Sequence, residues 1–307
     1  MVFNLQTIQL LMDKNREIEA LLQLIDDPDL EVYKTVEHRL LSYGTPVIPN
    51  LENLWENTIS EEVQERIEMI IHRIHFRDLT NEFTNWKNGE SELLYGALLV
   101  AKYQYPDIQT VNALQEIERI RRNIWLEMNS YMTPLEQVKI VESILYNYYK
   151  IRGGEIAYDQ PNEFMLHKVI EGKKGNAITS GILYLLMADL LDLPVRAINL
   201  PRQFVLGWFS HQALFDNDFT SLNPAENIKF YIDPNSGAAF SQKDIELYLK
   251  RINLPQTSSY FKPMQNHRII QLLLEQFANC FDDAKHAYKK KELLELAALL
   301  EPADNQQ

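Results

Sequence analysis

A single cysteine, Cys280, is the only thiol in the chain. One thiol closes no internal disulfide and builds no multi-cysteine zinc site, so neither covalent staples nor a structural zinc are expected. Basic residues are also in deficit: 30 Lys and Arg stand against 43 Asp and Glu, a net charge of −13. Phosphate backbones and anionic membranes need a basic footprint, so neither nucleic acid nor membrane is expected as a partner. Glycine, at 10 residues, and proline, at 13, are too scarce among 307 for a collagenous or low-complexity chain. No apolar run reaches the roughly 18 residues of a membrane span. The leading MVFNLQTIQLLMDKNREIEALL lacks a basic n-region and a small-residue cleavage site, and acids enter it at Asp13 and Glu17. It reads as an amphipathic helix, not a signal peptide, and the protein is expected to be cytoplasmic.

What the chain does contain is ordinary globular material, 46% hydrophobic and 24% charged. The acid is unevenly spread. Residues 1–80 carry 7 basic and 15 acidic side chains, whereas residues 241–307 carry 9 of each. The bland reading is a solvated acidic helical surface.

Hydrophobic spacing divides the chain into three regions. Residues 1–80 read as helices, with Val32, Val36, Leu40 and Leu41 on one face, a C-cap at Gly44 and a stop at Pro46. A short helix carries Leu51 and Trp55, and another starts after Ser60 and runs through Ile67, Ile70, Ile71 and Ile74. The stretch DPDLEVYKTVEHRLLSYGTPVIPNLENLWEN resembles one unit of a HEAT-type helical hairpin. Residues 81–240 open with helices ending near Tyr149, one of them started by Thr133–Pro134 with Glu136 in its first turn. Ile178–Leu191 is apolar nearly all round, so that helix must be buried. Three strand-like runs follow, Val195–Leu200, Phe204–Phe209 and Phe230–Asp233. Residues 241–307 return to helix, with His267–Phe281 and Ala284–Leu300 as a pair and EPADNQQ fraying at the end. The fold class is α+β, predominantly helical, with a short antiparallel sheet.

Two stretches carry a family resemblance. NEFMLHKVIEGKKGNAITSGILYLLMADLLDLPVRAINLPRQFVLGWF (162–209) and YIDPNSGAAF (231–240) resemble the core of the transglutaminase-like (papain-like) superfamily. More narrowly they resemble its SirB-type bacterial branch. LLYGALLVAKYQYPDIQ and NHRIIQLLLEQF resemble that branch's helical lead-in and tetratricopeptide-like tail. The resemblance implies a nucleophilic Cys at the N-terminus of the buried helix, with His and Asp on successive strands completing a triad. Carried onto this chain, the Cys position falls on Ala177, the His position on Gln203 and the Asp position on Asp233. An alanine methyl attacks no carbonyl, and a glutamine amide does not titrate near neutral pH. No active triad is expected.

Other candidates are weaker. Asn176 is placed to cap the buried helix, and Gln203 could hydrogen-bond Asp233. Asp233 is otherwise expected to cap a turn. Asn176, Gln203, Asp233 and Trp208 are the candidate binding residues. Thr179 and Ser180 could replace the nucleophile only if His167 or His211 activated them, while His72, His75, His267 and His286 carry no ligand pattern. Cys280 reads as a helix-packing residue. The connection from Ser210 to Lys229, with Phe215 and Phe219, is long enough to carry a partner or ligand surface.

The leading expectation is a non-catalytic scaffold or binding module with a protein partner, and with no cofactor and no metal. Two alternatives stand beside it: a hydrolase or peptidase-like enzyme with a non-Cys nucleophile in the same cleft, and a small-ligand binding protein.

Overall fold

The computed structural model describes residues 15–210 and 224–301, which form two compact units dividing at Asn81/Glu82. His211, Phe215, Phe219 and most of the 210–229 connection lie outside the described residues, as do much of the leading helix and the EPADNQQ tail except Glu301.

In the first unit residues 15–22 are helical. Asp29 caps α1 (Leu30–Tyr43), accepting from the Glu31 amide, and Gly44 ends it. The short α2 (Ile48–Asn57) and the long α3 (Glu61–Asn88) follow. Ile25, Val36, Leu40, Leu51, Ile67, Ile70 and Ile74 close a core of their own. The periodicity read to Ile74 continues along α3: Leu79 is buried at helical spacing, as are Phe83 and Trp86 beyond Glu82, where the helix belongs to the second unit.

The second unit is organised around one helix. After α4 (Leu93–Gln104), α5 (Val111–Glu127), α6 (Pro134–Glu142) and α7 (Leu166–Gly172) comes α8 (Ala177–Leu190). Every α8 residue from Ile178 to Ala188 is buried. A helix with no polar face must be covered on all sides, and α4, α5, α7, β1 (Val195–Leu200), β2 (Gln203–Phe209) and α10 (Asn266–Ala278) cover it. Capping follows the sequence reading at α6, where Thr133 and Glu136 form a reciprocal capping box. Beyond α6 the helix was expected to run on regularly; instead Ser143–Tyr148 widens into a π turn.

The sheet is a four-stranded antiparallel meander, β1-β2-β3-β4, with β3 at Ile228–Ile232 and β4 at Ala239–Phe240. Pairing of Leu200 with Gln203 closes the first hairpin on a two-residue turn, which puts Gln203 at its rim. Val205, Phe209, Ile198 and Leu200 pack with Phe261 and with Ile245 and Leu249 of α9 (Gln242–Arg251). The core is therefore layered, with helix α8 and α9 both packed on the sheet. A last helix, α11 (Ala287–Leu299), pairs with α10.

Helix α8 approaches β2 very closely. A Cβ on Gly181 would sit 2.5 Å from Phe204 Cε1 and 3.2 Å from Pro234 Cβ. Gly181→Val therefore overpacks the seam, and its unfolding free energy in urea should fall by about 2–3 kcal/mol, whereas an unchanged midpoint would mean that α8 and β2 are not clamped there.

Candidate functional site

The first turn of α8 is held by a buried polar network. Asn176 is completely buried, with its Oδ1 accepting from the amides of Ile178 and Thr179, each at 3.0 Å. Its Nδ2 donates to the Glu163 carbonyl at 3.1 Å, and the Thr179 hydroxyl donates to the same oxygen at 2.7 Å. This is the cap expected from the sequence, with every side-chain atom of Asn176 engaged. It fixes the start of the helix, whose first residue is Ala177.

Ala177 opens onto a cavity of about 850 Å³, whose lining includes Gln203 and Asp233. Three positions far apart in the chain thus meet in one cleft. Ala177 comes from the start of α8, Gln203 from the start of β2 and Asp233 from the turn that follows β3. Asp233 is occupied within its own turn: its carboxylate accepts from the Asn235 amide at 3.0 Å and from the Ser236 hydroxyl at 2.7 Å. No hydrogen bond joins it to Gln203 among the described residues. The π turn secures this segment from behind, with the Tyr146 hydroxyl donating to the Pro234 carbonyl at 2.9 Å.

The other candidates lie elsewhere. Trp208 is 2% exposed and stacked on Phe230 at 5.5 Å, a core residue that does not line the cleft. Asn176 also lies behind the cleft wall, because its polar atoms are spent on the cap. Both were expected as binding residues; the geometry makes them supports.

Thr179 has its hydroxyl committed to the Glu163 carbonyl. Ser180 is buried with an unpartnered hydroxyl, and no imidazole among the described residues lines the cavity. His167 sits on α7, buried edge-on to Tyr105 at 5.4 Å between ring centres. Cys280 is half-buried, and burial pushes its thiol up to about 12, leaving it protonated and unreactive near neutral pH. No group of three or more His, Cys, Asp or Glu is arranged for a metal among the described residues.

The sequence reading missed one whole wall. Gly154, Glu155, Ile156 and Tyr158 line the cleft from one strand-free segment, and Leu272 and Gln276 line it from α10. In the sequence only the Gly153–Gly154 pair marks that segment, and by itself it signals no more than the end of the preceding helices.

The chain matches the family model of the transglutaminase-like superfamily over residues 111–275, just over half its length and including all three cleft positions. It belongs to that superfamily. This transglutaminase-like protein resembles the UPF0162 protein BU173 of Buchnera aphidicola, at 20% identity over 219 residues, 71% of this chain and 74% of the relative. It also resembles Protein SirB1 of Salmonella typhimurium, at 22% identity over 63% of this chain and 66% of SirB1. F-box only protein 21 of Mus musculus matches a shorter stretch, 29% identical over 22% of this chain and 11% of its own length. The bacterial relatives agree with the SirB-type branch read from the sequence. No solved structure matches the chain.

The buried imidazole makes a pH prediction. Burial, with Lys168 alongside, holds His167 below its ordinary value of 6.5, while Glu171 opposes weakly. The unfolded chain then binds more protons than the folded one near pH 6, so stability should fall as pH drops through about 6.5. His267 shifts in the same direction for the same reason. In His167→Gln the loss of stability between pH 7.5 and 5.5, read by urea unfolding, should be smaller than in the parent; an equal loss would place the titration elsewhere.

Proposed function

We propose that this transglutaminase-like protein acts by binding, its cleft receiving a segment of a partner protein that it holds without chemical change. The observation that supports the reading is the cavity beside Ala177, lined by Gln203 and Asp233, at the place where the superfamily keeps nucleophile and base. Loss of nucleophile or base in a triad enzyme costs on the order of 10⁶ in rate. Both roles are vacant here. The walls that remain suit a polypeptide: amides from Gln203, Asn235 and Gln276 can pair with a peptide backbone, and Ile156, Phe204 and Phe240 can seat apolar side chains. The volume of about 850 Å³ lies within the ordinary range of ligand clefts.

Filling the cleft tests this. Ala177→Trp should abolish co-purification of the chain's partner from its own cells while leaving the thermal unfolding midpoint near that of the parent. A partner still captured in parental amount by a folded Ala177→Trp protein would contradict the reading.

A further inference from the structure

The cleft walls differ in how firmly they are built. Ala177 and Ile178 stand on a buried helix, Phe204 on a strand and Pro234 in a hydrogen-bonded turn. Residues 154–160 have neither helix nor strand, and among the described residues no backbone hydrogen bond ties 154–159 to another element.

Both ends of this segment are fixed. Arg152 donates to the Lys173 carbonyl and accepts from the Gly175 amide, each at 2.9 Å. Gly153 donates to the Asn235 carbonyl at 3.3 Å. A Cβ on Gly153 would lie 2.6 Å from Asn235 Cα and 3.0 Å from Ser180 Oγ, so this glycine is wedged. At the far end Pro161 opens a 3₁₀ turn that ends in Phe164, fully buried and stacked on Phe277 at 5.4 Å.

Between these anchors one side-chain hydrogen bond bridges to the opposite wall: the Tyr158 hydroxyl donates to Gln276 Oε1 on α10 at 2.8 Å. Tyr158 is 44% exposed, so water competes for that bond. A Cβ on Gly154 would meet only the Gly175 carbonyl oxygen, at an ordinary contact distance of 4.0 Å. Glycine has the widest backbone freedom of any residue, so rotation at Gly154 can move Tyr158 without disturbing the wedge at Gly153.

We propose that residues 154–160 form a strap that opens about Gly154 and is latched by Tyr158 on Gln276, gating access to the cleft floor at Ala177. This rests on the cleft being the binding site and adds how that site is regulated. An arriving chain that offers its own N–H to Gln276 Oε1 replaces the latch, which couples binding to opening.

The test needs no knowledge of the partner. In the full-length Cys280→Ser, Ala177→Cys protein the only thiol lies on the cleft floor, and its rate of reaction with 5,5′-dithiobis(2-nitrobenzoic acid) reads strap opening. The parent of the series should react more slowly than the same chain unfolded in urea. Tyr158→Phe should raise the folded rate about two- to tenfold, the weight of one neutral hydrogen bond, and Gln276→Leu should do the same from the other side. Gly154→Ala, which has room for its methyl, should lower the rate. Should Tyr158→Phe shift the unfolding midpoint, Gln276→Leu decides. Equal rates in all four proteins, or a parent that reacts as fast folded as unfolded, would overturn the strap. Gated labelling together with undiminished partner capture by Ala177→Trp would instead sink the binding role of the cleft and leave the strap standing.

Discussion

The rest of the second unit depends on enclosing a helix that has no polar side. From Ile178 to Ala188 every residue of helix α8 is buried and only the Thr179, Ser180 and Tyr184 hydroxyls interrupt its apolar surface, so sheet, helices and turns must close around it. Its buried first turn carries amides without helical partners, which Asn176 satisfies while Asn176 and Thr179 together hold the Glu163 carbonyl. That closure also determines where a site can lie. The N-terminus of α8 is the place where the covering elements part, and the cleft forms there.

The superfamily's scaffold is built here around a cleft that Ala177, Gln203 and Asp233 line together. Burial of α8, the cap at Asn176 and the turn at Asp233 all serve folding, so each is held by stability whether or not the cleft performs a reaction. Asp233 illustrates the point: its carboxylate organises the Asn235–Ser236 turn, a duty that needs no imidazole nearby. Ala177 opens the buried helix and Gln203 opens β2, and these are the two positions onto which the family resemblance carries Cys and His.

Much of the fold was legible in the sequence because local rules sufficed. The strand Val195–Leu200, the stop at Gly44, the cap at Asn176 and the capping box at Thr133–Glu136 are set by neighbours within a few residues. The convergence of Ala177, Gln203 and Asp233 was legible only through family resemblance, since no spacing rule brings them together. Trp208 misled because an aromatic on a strand looks alike whether it lines a cleft or fills a core; the stacking on Phe230 decides it. The strap at 154–160 was invisible because its placement comes from anchors distant in sequence, Asn235, Lys173 and Gln276, and not from propensity. In the sequence, Gly153 and Gly154 signal only that the preceding helices end.

The central claim is that this cleft binds without reacting. The most direct measurement is mass spectrometry of a glutamine- and lysine-bearing protein substrate incubated with a stoichiometric amount of the purified chain and a primary amine. The account predicts no deamidation, amine incorporation or cleavage beyond the buffer control. Modification that disappears when Asp233→Ala or Gln203→Ala replaces the parent chain would contradict it.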